Sequence, residues 1–95
     1  MSAYLIARIE VTNWDQYKEY TKLTPQLVEE YGGKFVARGG DVVTLEGDAE
    51  NRRVVVLEFP SVEQAEAFYH SPGYAHARTV REGAAEAQFI IVGGV

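Results

Sequence analysis

The chain has no cysteine, and it contains only two histidines, one methionine and one tryptophan among its 95 residues. Without cysteine there is no disulfide framework, no thiolate nucleophile and no zinc-finger spacing. Long hydrophobic runs are also missing. A run such as residues 89–92 is far shorter than the about 20 residues that a membrane-spanning helix needs. We therefore expect neither disulfides nor a membrane span.

Positive charge is scarce as well, because nine Lys and Arg residues stand against 14 Asp and Glu residues, for a formal net charge of −5. A nucleic-acid binder needs a basic face, so no nucleic-acid partner is expected. The first residues lack a basic segment and a signal-peptide apolar stretch, which predicts a cytoplasmic protein. Motifs of phosphate loops, serine-hydrolase elbows and zinc proteases are absent, so we expect no metal and no cofactor.

The composition that remains is that of an ordinary globular protein, with 46% hydrophobic and 24% charged residues. A length of 95 residues suits one domain, which we place at residues 1–95.

The first half of the chain predicts a strand followed by a helix. Residues 4–11 alternate with a period of two, which is typical of a strand. Asn13 followed by Gln16 forms a capping-box pattern that opens a helix, and the two glycines at residues 32–33 end it. Pro25 lies inside this helix, where it removes one backbone donor and is expected to kink the helix.

The second half predicts three further strands and a second helical region. Residues 34–38 and 41–46 are interpreted as one bent edge strand broken by glycines 39–40, with a short hairpin as the alternative. Residues 53–59 and 87–92 give the last two strands. The helical region between them has two segments, which begin at the caps Ser61 and Ser71.

The order β-α-β-β-α-β predicts an α+β, ferredoxin-like fold, an antiparallel sheet with both helices on one face. The third and fourth strands are apolar on both faces, although the helices can cover only one. A second copy packing sheet to sheet would form an α/β barrel and bury the other face, so we expect a homodimer. The apolar residues left outside by the helices are Ile6, Val54, Val56, Ile90 and Val92.

Several short segments together carry a resemblance to a known family: residues 38–40, 45–47, 58–61 and 71–74, followed by Arg81. In order and spacing they resemble the domain of unknown function 1330 family, within the dimeric α/β-barrel superfamily. The resemblance implies the same fold and the same barrel-forming dimer. It implies no activity, although the wider superfamily includes cofactor-free monooxygenases, and fold alone does not settle function.

Five residues are candidates for ligand binding, and no catalytic residue can be assigned. Arg38 precedes two glycines that let a ligand approach the backbone, and its guanidinium could hold a carboxylate or an enolate oxygen. The alternative is a structural pair with Glu46. Glu58 is expected on the dimer face, either as a general base with a raised pKa or, as we favour, in an ion pair with Arg8.

The other three candidates lie around the last helical segment: Ser71, Tyr74 and Arg81. Tyr74 and Arg81 are two helical turns apart, so they share a stripe that could orient a polar ligand. The alternative is a packing aromatic beside a solvated arginine. His76 is predicted to point outward, and neither it nor His70 is assigned a role.

The leading hypothesis is a small homodimer that binds or transforms a small anionic or carbonyl-containing metabolite without a cofactor. Its pocket would lie between the sheet and the helices, with Arg38, Tyr74 and Arg81 as its polar groups. The alternative is a non-catalytic dimerisation or regulatory module, which a filled core would favour.

Overall fold

A computed structural model describes residues 2–95 as four strands and three helices. In chain order the elements are β1 Ala3–Val11, α1 Trp14–Glu30, β2 Lys34–Arg38, β3 Arg53–Phe59, α2 Val62–Tyr69, α3 Pro72–Arg81 and β4 Ala85–Gly93. The strands form one sheet in the order β2-β3-β1-β4, and all neighbours are antiparallel. The predicted α+β, ferredoxin-like plan is confirmed.

The core lies between one face of the sheet and the helices. Strand β1 alternates as predicted, with Leu5, Ala7 and Ile9 at most 3% exposed on the helix side. Helix α1 turns Tyr17 and Val28 into the same core. Burying each large apolar side chain contributes roughly 1.5–3 kcal/mol, so this alternation fixes which face of the sheet the helices cover.

Helix α1 begins at the predicted cap but not with the full capping box. The Asn13 side chain accepts a hydrogen bond from the Gln16 backbone N–H at 3.1 Å. The Gln16 side chain does not return to Asn13. It donates instead to the carbonyls of Val80 and Glu82, at 3.0 and 2.7 Å. Gln16 therefore ties the start of α1 to the end of α3.

Pro25 does not interrupt helix α1, which runs continuously from Trp14 to Glu30. A proline has no N–H, so the Thr21 carbonyl one turn earlier loses its normal helical donor. Two side chains replace that donor: the Arg38 guanidinium at 2.9 Å and the Thr24 hydroxyl at 3.3 Å. The proline thus creates an acceptor on the side of α1 that faces β2.

Strand β2 is shorter than predicted, and the expectation of a resumed strand over residues 41–46 is wrong. The segment 39–52 contains no strand, and most of its side chains are exposed. The bulge also lies earlier than the diglycine, between Phe35 and Ala37. Because one extra residue reverses the side-chain alternation, Arg38 pairs with Val55 and faces the helices together with Phe35.

The last strand begins two residues earlier than predicted, at Ala85. Strand β4 lies at one edge of the sheet and pairs with β1 along its whole length. No helix among residues 2–95 is long and apolar enough to cross a membrane.

The sheet face away from the helices, here called the outer face, is apolar at its centre. Across one row of the register, Val56, Ile6 and Ile90 are neighbours, and Ile90 remains 40% exposed. Polar groups mark the ends of this face. Glu50 pairs with Arg8 at 3.2 Å, and Glu58 pairs with Lys34 at 3.4 Å.

Candidate functional site

A narrow cavity lies between α1 and the sheet, and its walls are mostly apolar. The free space inside it is about 30 Å³, which is room for roughly two water molecules. Its apolar walls come from strands β1, β3 and β4, from Phe35 of β2, and from Val28 and Phe68 of the helices. Its polar lining consists of Tyr17, Tyr20, Thr21, Thr24, Arg38, Arg53 and Tyr74. The cavity is smaller than the few hundred Å³ of a drug-sized pocket, so a ligand must be small or must displace a side chain at the mouth.

The closed end of the cavity holds a pair of buried tyrosines. The hydroxyls of Tyr20 and Tyr74 are 2.6 Å apart, and the two side chains are 6% and 1% exposed. Tyr74 is directed inward because it follows the Ser71 cap by three residues, and its ring packs at 4.7 Å from that of Phe68. Burial raises the pKa of both phenols, and the hydrogen bond adds to this effect at Tyr20. Both hydroxyls are therefore neutral and can donate hydrogen bonds.

The mouth of the cavity holds two guanidinium groups. Arg38 is exposed, lies 4.3 Å from the centre of the Phe35 ring, and donates to the Thr21 carbonyl. Arg53 is half-buried and lies about 6 Å from the ring centres of Trp14 and Tyr17. Within residues 2–95 neither arginine forms a salt bridge, and the Nε of Arg53 is buried with no hydrogen-bond acceptor.

Gly39 explains how Arg53 fits at this mouth. Its φ is +73°, a left-handed conformation that glycine adopts without strain. A Cβ at this position would also collide with the Arg53 guanidinium. The diglycine break therefore has a packing role as well as a conformational one.

Arg81 lies behind the tyrosine pair rather than in the cavity. Its guanidinium carbon is 5.3 Å from the centre of the Tyr20 ring and 5.2 Å from that of Phe89, and its Nε is buried without an acceptor in the described part of the chain. On its other side it lines a cleft with Tyr69 and Arg78. Arg81 is thus adjacent to Tyr74, as the helical spacing predicted, but it faces a neighbouring cleft.

Tyr17 reports on the combined field of the three arginines. Burial raises the pKa of the Tyr17 phenol, while Arg53, Arg81 and Arg38 each lower it. All three guanidinium groups therefore act on one phenol. Three positive charges thus lie near the same buried phenol, although the chain as a whole is acidic.

The remaining sequence candidates lie elsewhere. Glu58 is on the outer face, and its hydrogen bonds with Ser2 and Lys34 keep the pKa of its carboxyl below the usual range. The predicted partner Arg8 pairs with Glu50 instead, and the raised pKa that a general base would need is absent. The alternative pair of Arg38 with Glu46 is also not formed, because Arg38 turns to Thr21.

Ser71 and the histidines do not line the cavity. The Ser71 hydroxyl donates to the Phe68 carbonyl at 2.8 Å and accepts from the Tyr74 N–H at 3.1 Å, so it is occupied as a helix cap. His76 is exposed, as predicted, and so is His70.

Sequence reasoning missed Tyr17, Tyr20 and Arg53 as polar cavity residues. The helical spacing of the two tyrosines predicts core packing, which is true of their rings, but both residues also line the cavity. Arg53 opens strand β3, and an alternating pattern places it on the same face as Val55 and Leu57. The alternation in β3 could therefore have identified Arg53 as a residue that faces the helices.

These features define the class of the molecule: a small ferredoxin-like α+β domain with a polar-ended cavity between its sheet and its helices. The chain belongs to the family described as Domain of unknown function (DUF1330), whose model matches residues 2–95. No curated protein matches the chain in sequence.

Solved structures share the fold at low sequence identity. A protein of unknown function from Rhodopseudomonas palustris is 20% identical, with a TM-score of 0.79, over 99% of this chain and 82% of that one. A dimeric ferredoxin-like protein of unknown function from Jannaschia sp. CCS1 is 14% identical, with a TM-score of 0.72, over 99% and 100% of the two chains. SnoaB, a cofactor-independent oxygenase from Streptomyces nogalater, is 14% identical, with a TM-score of 0.70, over 99% and 93%.

Proposed function

We propose that this protein is a homodimer in which each protomer binds or transforms a small anionic or carbonyl-containing metabolite without a cofactor. The observation that carries the proposal is the cavity. Two guanidinium groups at its mouth have no carboxylate partner within residues 2–95, and two neutral phenols lie at its closed end. The buried Nε of Arg53 has no acceptor in the described part of the chain. Buried donors without acceptors are uncommon in folded proteins, and an oxygen-rich ligand would satisfy this one.

The chemistry available in the cavity is hydrogen-bond donation and positive charge. Within residues 2–95 no carboxylate and no imidazole lines it, and burial disfavours ionisation of its phenols. Such a lining can hold an oxygen that carries or develops negative charge, as in an enolisable carbonyl compound. The lining is less suited to a reaction in which one of its own side chains removes a proton from the substrate.

Dimerisation through the outer face completes the proposal. Its apolar centre, at Val56, Ile6 and Ile90, would be covered by the same face of a second copy. The description of a structural neighbour as dimeric supports this arrangement. The cavity lies on the other side of the sheet, so the dimer interface would leave its mouth open.

Titration with pentanoate and with pentan-2-one, followed by two-dimensional NMR, tests the binding function. We expect resonances of the cavity lining to shift with both compounds. Arg38→Gln should weaken pentanoate binding about 10-fold or more, since a charge-assisted hydrogen bond is lost. Arg78→Gln, which removes the same charge from an exposed position on α3, should leave binding unchanged. If neither compound moves the cavity resonances, the non-catalytic dimerisation module becomes the better description.

A further inference from the structure

The two ends of the cavity differ in charge, in exposure and in the number of protons they can donate. The mouth has the exposed Arg38 and the half-buried Arg53, both cationic. The closed end has the Tyr20 and Tyr74 hydroxyls, both neutral and both buried. A ligand that satisfies both ends must therefore itself be unsymmetrical.

The mouth favours a carboxylate. Within residues 2–95 the two guanidinium groups there have no carboxylate partner, although the chain has 14 acidic residues. In the described part of the chain the Nε of Arg53 lacks an acceptor, and Arg38 contacts the neutral Thr21 carbonyl and the Phe35 ring but no carboxylate. Guanidinium groups bind carboxylates through paired, charge-assisted hydrogen bonds, which are about twice as strong as neutral ones.

The closed end favours a neutral oxygen acceptor. Of the two phenolic protons, one is used in the 2.6 Å hydrogen bond between Tyr20 and Tyr74, which leaves one to donate. One donated proton matches the carbonyl oxygen of a ketone. A second carboxylate would lose most of its hydration at this buried position and would gain only that one hydrogen bond.

The walls between the two ends are hydrocarbon. Leu5, Val55 and Leu57 of the sheet face Val28 of the helix, and the free space is only about 30 Å³. A ligand that reaches the closed end must therefore displace a side chain at the mouth, and the spacer between its two polar ends must be short and apolar.

Resting on the proposed binding function, we infer that the ligand is a short oxo acid bound in one direction. Its carboxylate lies between Arg38 and Arg53 at the mouth, and its keto oxygen accepts the free proton of the Tyr20–Tyr74 pair. In this orientation Arg81, behind the pair, reinforces the positive field at the keto oxygen.

The contributions of the two ends of the cavity to binding can be tested with three related compounds: 4-oxopentanoate, pentanoate and methyl 4-oxopentanoate. We expect 4-oxopentanoate to bind the wild-type protein about 3- to 10-fold more tightly than pentanoate, which lacks the keto oxygen. The methyl ester, which lacks the charge, should bind about 10- to 100-fold more weakly than the acid. Dissociation constants come from NMR titration at constant ionic strength.

Variants test which end of the cavity causes each binding preference. Tyr20→Phe combined with Tyr74→Phe should abolish the preference for the keto acid while leaving pentanoate binding intact. Replacing both hydroxyls together leaves neither phenol without its partner, although it also removes two hydroxyls with which the Arg81 side chain interacts. Arg53→Gln should weaken the binding of both acids by the same factor, so the ratio of their dissociation constants should not change. Tyr31→Phe, outside the cavity, is the control and should change nothing.

The possible failures are distinguishable. If pentanoate and 4-oxopentanoate bind the wild type equally well, the two-ended site is refuted while anion binding stands. A keto preference that survives in the double phenylalanine variant refutes the role of the tyrosine pair. If none of the three compounds binds, the proposed function fails together with this inference.

Discussion

Replacing Pro25 with alanine should stabilise the protein, because Pro25 is inside α1 and leaves the Thr21 carbonyl without its helical donor. A proline in a helix interior costs about 3 kcal/mol relative to alanine. The backbone N–H that the substitution introduces would compete with Arg38 for the Thr21 carbonyl, and losing that side-chain hydrogen bond costs about 1 kcal/mol. The expected net gain in the free energy of unfolding is therefore about 2 kcal/mol, from these two costs.

For a domain of this size, a gain of about 2 kcal/mol corresponds to a rise in Tm of about 8–16 °C. Urea unfolding followed by circular dichroism, at one fixed protein concentration, measures the change in free energy. Pro72→Ala is the matched control, since Pro72 occupies the first turn of α3, where a missing N–H costs nothing. A Pro25→Ala protein that is no more stable than Pro72→Ala would refute this role of Pro25.

Two further predictions concern the outer face of the sheet. Val56→Glu should dissociate the dimer, because it places an uncompensated charge at the centre of the proposed interface at a cost of roughly several kcal/mol. Sedimentation equilibrium should then report one chain mass, whereas Ala67→Glu on exposed α2 should keep the dimer; a dimeric Val56→Glu protein contradicts the interface. Glu58 has a pKa below its usual value through its hydrogen bonds with Ser2 and Lys34, so its stabilising contribution is present above the unfolded-state pKa and is lost as the pH falls through the folded-state pKa. Glu58→Gln should therefore reduce the loss of stability on acidification, and an unchanged pH profile would contradict the ion pair.

The fold could be predicted from the sequence wherever one periodicity dominated. The alternation around Leu5 and Ile9 identified the core face of β1, and the caps Ser61 and Ser71 marked the starts of α2 and α3. Local hydrogen-bonding and burial preferences determine these features, and both are visible in single stretches of sequence.

The side chains of the site could be predicted only in part. Tyr74 was correctly placed inward. The face of the sheet on which Arg38 lies depends on a bulge between Phe35 and Ala37, and no residue type in β2 predicts that bulge. A strand of five mostly exposed residues carries too little hydrophobic contrast to fix its own register. The link from Thr21 to Arg38 joins residues that are 17 positions apart, so only tertiary packing creates it.

The carbonyl exposed by Pro25 also holds the Arg38 side chain in place at the mouth of the cavity. The hydrogen bond to the Thr21 oxygen, at 2.9 Å, uses Nη2 of the guanidinium, and a guanidinium has five N–H donors. The Phe35 ring, 4.3 Å away, supports the same side chain. The backbone of α1 thus anchors Arg38 at the mouth without using all of its donors.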